Sequence, residues 1–174
     1  MAAGMQAETL GDAMTEEKGD RVRVALVGAG AMATRYHHPS LASLPDVELV
    51  AICDLVEEKA RQAAERLGIA SSRVYTDLAR MLADVQPQAV YVLMPPQHVY
   101  EPATRVLAHG CHLFVEKPLA LTTTQARMLA YTAGERGCLT MVGFQRRFVP
   151  AMTALRARVE ARGPIQFADV AFLK

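Results

Sequence analysis

The feature that most constrains this chain is a glycine-rich turn at residues 28–33, directly after the apolar run Arg21–Val27. The turn reads Gly-Ala-Gly-Ala-Met-Ala and fits the spacing GxGxx(G/A). Gly28 permits a tight turn, Gly30 lets the backbone approach a pyrophosphate, and Ala33 allows a following helix to pack closely on the strand. Unpaired N–H groups at that helix N-terminus would face the phosphates. Because similar glycine turns occur in α/β proteins that bind no nucleotide, the rest of the chain has to support this interpretation.

Runs typical of strands alternate with runs typical of helices through residues 21–143. The predicted strands are Arg21–Val27, Val47–Cys53, Val74–Tyr75, Ala89–Met94, His112–Val115 and Cys138–Val142. The predicted helices are Ala31–Leu44, Val56–Leu67, Leu78–Ala83, Glu101–His109 and Thr122–Arg136. Parallel strands need crossover connections, which a strand–helix–strand alternation supplies. The chain therefore predicts an α/β fold, a doubly wound parallel sheet of six strands that is complete as a dinucleotide-binding Rossmann fold.

Both ends of the chain depart from this alternation. Residues 1–20 are small, polar and acidic and lack the apolar stretch of a signal peptide, so they predict a disordered tail. After the alternating region, residues 21–143, a basic helix is expected at Pro150–Arg162 and one more strand at Ile165–Leu173. The finished sheet offers that strand no partner. We therefore expect residues 144–174 to hold a linker helix and only the first strand of a truncated second α+β domain.

Length and composition exclude several function classes. With 174 residues, 51% of them apolar and 21% charged, the chain has the composition of one globular domain. A net charge of +1 gives no basic field for nucleic acid, and no apolar run is long enough to span a bilayer. The cysteines, Cys53, Cys111 and Cys138, have no metal-binding spacing. We expect a cytoplasmic protein with reduced thiols, no metal site, and no nucleic-acid or membrane partner.

A carboxylate follows the second predicted strand at the position where dinucleotide-binding folds hold a ribose. Asp54 comes 24 positions after Gly30, near the spacing expected for the residue that binds the adenosine ribose hydroxyls. An ionised Asp there would repel a 2′-phosphate, and the next residues, Leu55 and Val56, offer no arginine to one. This favours NAD over NADP. The alternative role of Asp54 is to cap the helix that begins at Val56, and the two roles are compatible.

The third candidate site is Glu116-Lys117-Pro118, at the end of the fifth predicted strand. Ligands of open α/β sheets bind beyond the carboxyl ends of the strands, so Lys117 would share an edge with the glycine turn and Asp54. A lysine there can donate to a ribose or a substrate hydroxyl and, if desolvated, take part in proton transfer. The alternative is an ordinary surface lysine on a proline turn.

Five segments in register resemble one family. They read VALVGAGAMATRYHHPSL, VAICD, the proline pair after the fourth strand, GCHLFVEKPLALT and VGFQRRFVPAM. From about residue 21 to its end, the chain resembles the N-terminal part of the Gfo/Idh/MocA family of NAD(P)-dependent oxidoreductases. The Glu-Lys-Pro element is far more specific than the glycine turn.

The resemblance implies roles for individual positions. The implied cofactor contacts are Gly28, Gly30, Ala31, Met32, Asp54, Pro95, Pro96, Glu116, Lys117, Gln145 and Arg146. Residues 28–32 would hold the pyrophosphate, Asp54 the adenosine ribose, and the proline pair would line the cofactor path. Glu116 and Lys117 would sit by the nicotinamide, with Lys117 near the reacting carbon as the catalytic residue. Gln145 and Arg146 would close over cofactor or substrate.

The histidines fit the family less well. The family usually has a His shortly after the proline pair, but here His98 is one position early and Val99 occupies the usual place. A solvated loop histidine is therefore the preferred interpretation of His98. His37 and His38 fall in the family's HxP region and are interpreted as packing or exposed residues.

The resemblance also implies a second domain with the substrate pocket, most subunit contacts, and an Asp and a His that work with the lysine. This sequence holds none of these, so homo-oligomers are expected only with that domain, and the chain alone is expected to bind NAD weakly with little turnover. One hypothesis is a truncated NAD(P)-dependent oxidoreductase that transfers hydride between nicotinamide and a sugar or polyol carbinol. The other is a natural non-catalytic dinucleotide-binding module, acting as a sensor or a partner subunit.

Overall fold

The structure, a computed structural model of the chain, describes residues 21–169 and residue 171. The tail predicted for residues 1–20 lies outside the described residues, as do residue 170 and residues 172–174.

A six-stranded sheet forms the centre of the molecule. Its strands are β1 (Val22–Val27), β2 (Val47–Cys53), β3 (Val74–Tyr75), β4 (Ala89–Val92), β5 (His112–Val115) and β6 (Thr140–Val142). The strand order is β3-β2-β1-β4-β5-β6, and every neighbouring pair is parallel. This order confirms the predicted doubly wound Rossmann sheet, whose strand order reverses between β1 and β4.

Helices connect the strands as the alternation predicts. They are α1 (His38–Ala42), α2 (Glu57–Leu67), α3 (Leu78–Val85), α4 (Tyr100–Ala108), α5 (Thr123–Glu135) and α6 (Pro150–Glu160). A π-helical turn, Ala33–His37, leads directly into α1, and short 3₁₀ turns cover Ser71–Arg73, Pro96–His98 and Gln145–Phe148. None of the helices between residues 21 and 169 has the length and apolar character needed to cross a membrane.

Two helix starts follow the expected capping chemistry. Asp77 caps α3 by accepting a hydrogen bond from the Arg80 N–H, at 2.8 Å. Thr122 caps α5 by accepting from the Gln125 N–H, while the Gln125 side chain accepts from the Leu121 N–H. Side-chain oxygens at these positions satisfy N–H groups that have no partner within the helix.

The core fills both faces of the sheet. Because side chains alternate along a strand, Leu26 of β1 and Ile52 of β2 point to one face and Val27 and Cys53 to the other. The first face is covered by α1 and α2, and the second by α3, α4 and α5. Central strands buried on both faces explain why the runs for β1 and β2 are almost continuously apolar.

The last predicted strand does not form where it is described. Within the expected span Ile165–Leu173, residues 165–169 belong to no strand and are exposed. A strand needs a neighbour for its backbone N–H and C=O groups, and none of the described strands pairs with this segment. The helix before it, expected at Pro150–Arg162, is confirmed as α6 and is two residues shorter.

Candidate functional site

The glycine turn lies at the carboxyl end of β1, against the end of β4. Gly28 has a φ of +101°, and a Cβ atom there would lie 2.4 Å from the carbonyl oxygen of Leu93. Its N–H donates to the Cys53 carbonyl at 2.8 Å, which ties the turn to the end of β2. Around Gly30 a Cβ atom would meet nothing within 4 Å. The turn is therefore closely packed below Gly28 and open above Gly30, where a ligand's phosphates can approach the backbone.

Asp54 holds the glycine turn from the neighbouring strand. Its Oδ2 accepts a hydrogen bond from the Ala29 N–H at 2.7 Å, and its Oδ1 accepts from the Val56 N–H at 2.9 Å. The second bond forms a turn just before α2, whereas Val56, the N-cap residue of that helix, makes no side-chain cap. Each carboxylate oxygen can accept a further hydrogen bond, so these contacts leave Asp54 able to bind ligand hydroxyls.

A cleft of about 700 Å³ opens beside these residues. Gly28, Gly30, Asp54 and Pro95 line it, together with Thr76 and Asp77 beyond β3. It lies outside the carboxyl ends of the strands, beside the point between β1 and β4 where the strand order reverses. That is the usual ligand site of an open α/β sheet, and the volume falls within the range of small-molecule pockets.

Two cations in the cleft wall are absent from the predicted site. Lys59, in the first turn of α2, and Arg105, on α4, both line the cleft. Arg105 forms an ion pair with Glu101 on its own helix. Val56 also lines the cleft, and residues three apart share a helix face. Counting three residues on from Val56 would therefore have indicated Lys59 as a residue of the site. The absence of an arginine directly after Asp54 therefore does not leave the cleft without positive charge.

His98 also lies in this cleft. It is exposed and sits on the 3₁₀ turn Pro96–His98 that follows the proline pair. Pro96, the second proline of the pair, is half-buried and does not contribute to the lining.

A separate corner forms where β5 and β6 end. Glu116 Oε1 lies 2.8 Å from His37 Nε2, and Glu116 Oε2 accepts a hydrogen bond from the Lys117 N–H at 2.9 Å. Gly143, just after β6, faces the same carboxylate so closely that a Cβ atom there would lie 3.0 Å from Oε1. The His37–Glu116 pair joins residues 79 positions apart and was not predicted from the sequence.

Aromatic rings support the corner from below. The rings of Tyr91 and Phe114 stack with their centroids 4.4 Å apart, and the His37 ring lies 5.5 Å from that of Phe114. The His37 ring, which contacts Glu116, therefore packs against an aromatic pair from β4 and β5. Burial of Tyr91 raises the pKa of its hydroxyl.

The predicted site residues thus divide between two places. Residues of the glycine turn, Asp54 and Pro95 meet at the cleft, whereas Glu116 and Lys117 lie at the corner and do not line it. Ala31 and Met32 form the exposed first turn of the helix after the glycine turn. Gln145 and Arg146 lie on the exposed 3₁₀ turn Gln145–Phe148 beyond β6.

Three further titratable groups, Cys53, Cys111 and His38, are buried, and burial shifts the pKa of each. Burial, with Asp54 and Asp77 nearby, raises the pKa of the Cys53 thiol to about 11, which keeps it in the unreactive thiol form. Burial likewise raises the pKa of Cys111 and lowers that of His38, whose side chain is 3% exposed. Within residues 21–169 and 171, no group of three or more His, Cys, Asp or Glu side chains is placed to hold a metal ion.

Curated relatives resemble this chain over most of its length. It is 38% identical to D-glucoside 3-dehydrogenase of Escherichia coli (strain K12) over 138 residues, which are 79% of this chain and 39% of that protein. It is 30% identical to scyllo-inositol 2-dehydrogenase (NAD(+)) of Bacillus subtilis (strain 168), over 81% of this chain and 41% of the relative. The chain therefore spans about two fifths of the length of these relatives.

Solved structures share the fold. GenD2 from gentamicin A biosynthesis, crystallised with NAD, superposes with a TM-score of 0.73 and 34% identity over 92% of this chain and 42% of its own. KijD10, a 3-ketoreductase from Actinomadura kijaniata crystallised with NADP, superposes with a TM-score of 0.74 and 30% identity over 82% of this chain and 44% of its own.

A family profile covers the same region as the sheet and both candidate sites. The profile of the Gfo/Idh/MocA proteins, described as an oxidoreductase family with an NAD-binding Rossmann fold, matches residues 22–144. These residues include the glycine turn, Asp54 and the Glu116–Lys117 corner. The match spans well over half of the chain, and all six strands of the sheet lie within it. The chain therefore belongs to the Gfo/Idh/MocA family of oxidoreductases and contains its NAD-binding Rossmann domain.

Proposed function

We propose that this chain is the cofactor-binding part of a dehydrogenase that transfers hydride between a nicotinamide dinucleotide and a carbinol carbon of a sugar or polyol. The observation that carries the proposal is the cleft at the strand-order reversal, where the open glycine turn and the Asp54 carboxylate meet. Family membership supports the oxidoreductase class.

The residues of the cleft fit a dinucleotide. The backbone at Gly30 and the exposed first turn at Ala31 and Met32 would bind the pyrophosphate, because nothing obstructs that approach and helix N-termini attract anions. Asp54 would accept hydrogen bonds from the adenosine ribose hydroxyls while keeping its contacts to Ala29 and Val56. The cofactor, when bound, supplies the hydride acceptor or donor.

The corner residues would act at the reacting end. Lys117 is exposed at the carboxyl end of β5, where its amine would hold or move the proton of the substrate hydroxyl. Glu116 would keep the Lys117 backbone in place through its bond to the Lys117 N–H. Gln145 and Arg146, on the turn beyond β6, would close over cofactor or substrate and exclude water.

The relatives support the substrate class and the choice of cofactor. Two of them are named as a glucoside and an inositol dehydrogenase, which favours a sugar or polyol carbinol here. One solved relative was crystallised with NAD and another with NADP. The Asp54 carboxylate would disfavour a 2′-phosphate, so we propose NAD as the preferred cofactor.

A titration with NADH tests the proposal. NADH fluorescence should change on binding, and ADP-ribose should compete, because both share the adenosine and pyrophosphate groups. Gly30→Asp should weaken NADH binding at least about tenfold, because it sets a carboxylate against the pyrophosphate in a place with room for the side chain.

Gly134→Asp is the matched control, since Gly134 lies on α5, where a Cβ atom would likewise meet nothing within 4 Å. That variant should bind NADH as the parent chain does. No binding by the parent chain, or equal binding by the two variants, would overturn the proposal.

A further inference from the structure

The helix that follows the glycine turn contains one extra residue, which changes where its histidines lie. In the π-helical turn Ala33–His37, the N–H of His38 donates to the Ala33 carbonyl, five residues back. Such single π turns within helices often accompany functional sites. The last residue of this turn, His37, and the next residue, His38, have different surroundings: His38 is buried in the core, and half-buried His37 reaches the corner at Glu116.

Glu116 is held at both carboxylate oxygens. Because a carboxylate only accepts hydrogen bonds, His37 donates through Nε2–H to Oε1, and the Lys117 N–H donates to Oε2. Gly143 leaves room for this arrangement, since a side chain there would press on Oε1. The carboxylate thus links the helix after the glycine turn with the ends of β5 and β6.

This arrangement leaves the Lys117 amine uncommitted. A glutamate next to a lysine is a natural ion-pair partner, yet none of the described hydrogen bonds or ion pairs joins Glu116 to Lys117 Nζ. Each oxygen of Glu116 has one donor, and the contact with His37 fixes the direction in which the carboxylate faces. Without His37, the carboxylate would be free to turn and offer Oε1 to the ammonium group of Lys117.

We propose that His37 is a positioning residue for Lys117, which it keeps available by holding Glu116 away from the lysine amine. It also fixes the lysine's strand end to the helix of the glycine turn, so that the two ends of the cofactor site stay in register. This inference rests on the proposed function for the catalytic role of Lys117. The contacts of His37 and Glu116 do not depend on that function.

Acylation of lysines in the full chain without cofactor tests the inference. The chain has four lysines, Lys18, Lys59, Lys117 and Lys174, so peptide mass spectrometry resolves each one after brief treatment with an N-hydroxysuccinimide acetate. In His37→Leu, Lys117 should react about threefold more slowly relative to Lys59, because an ammonium paired with a carboxylate reacts less readily than a free amine. Loss of structure alone would instead raise the reactivity.

Three further variants define the cause. His37→Gln should restore the rate of the parent chain, since its amide N–H₂ occupies nearly the position of Nε2. Adding Glu116→Gln to His37→Leu should also restore it, because the amide carries no charge to hold the ammonium. His109→Leu, a change of an exposed histidine bonded only to the Arg105 carbonyl, should have no effect.

The outcomes separate the two proposals. Equal Lys117 rates in the parent chain and in His37→Leu would overturn the role of His37, even if NADH binds. If circular dichroism shows that His37→Leu does not fold, His37→Asn is compared with His37→Gln instead, because only the longer amide reaches Glu116. Equal Lys117 acylation rates in these two variants would overturn the role of His37. Absence of NADH binding would overturn the proposed function while leaving the acylation result intact.

Discussion

The cleft and the corner are built in different ways. At the cleft, the groups that fix the shape of the site are backbone atoms and one carboxylate. They are the turn at Gly28, the N–H groups of Ala29 and Val56, and Asp54. At the corner, the decisive contact joins two side chains, His37 and Glu116, that are 79 residues apart. The cleft thus depends on backbone shape, whereas the corner depends on the packing of side chains that can adjust.

The largest effect is expected at the cleft from Gly28→Ala. The new Cβ would overlap the Leu93 carbonyl at 2.4 Å, and a φ of +101° strains any L residue with a side chain. We expect the free energy of unfolding to fall by about 3 kcal/mol, measured by urea denaturation. Gly110→Ala, at a φ of +77° with open space around it, should cost only about 1 kcal/mol. Equal losses would mean that the backbone contact below the turn is unimportant.

A smaller effect is expected at the corner from Gly143→Ala. Its Cβ would lie 3.0 Å from Glu116 Oε1 and 3.2 Å from Phe114 Cζ, both side-chain atoms that can shift. We expect a loss of about 1 to 2 kcal/mol in urea unfolding. Gly134→Ala, in the last turn of α5 with no neighbour within 4 Å, should be neutral or stabilising.

The same variant reports on the His37–Glu116 pair. In a His37→Leu background Glu116 is free to move aside, so Gly143→Ala should cost less than in the parent chain. If the losses in the free energy of unfolding from His37→Leu and Gly143→Ala are strictly additive, the corner does not act as a connected unit. The corner would then not differ from the cleft in the way described above.

The contrast also explains how far the sequence could predict this protein. The sheet order, the glycine turn and Asp54 follow from patterns within a few residues of each other, or from a spacing that the fold imposes. Whether Ile165–Leu173 forms a strand depends instead on a partner, and residues 165–169 have none among the described strands. The His37–Glu116 contact depends on a π turn and on the packing of β5, which no local pattern indicates.

The smallest effect concerns the choice of cofactor at the cleft. In the proposed binding mode the Asp54 carboxylate would repel a 2′-phosphate, so the parent chain should bind NADH more tightly than NADPH, whereas Lys59 in the cleft wall would partly offset that repulsion. Lys59→Gln should therefore weaken NADPH binding by about threefold, the value of one exposed charge, and leave NADH binding unchanged. Arg61→Gln, on the same helix but outside the cleft lining, is the control.

Fluorescence titrations with NADH and NADPH test this selectivity. Tighter NADPH binding by the parent chain would remove Asp54 as the group that discriminates between the two cofactors. An equal loss for both cofactors in Lys59→Gln would show that Lys59 acts on the shared pyrophosphate, so that backbone and carboxylate alone set the selectivity of the cleft.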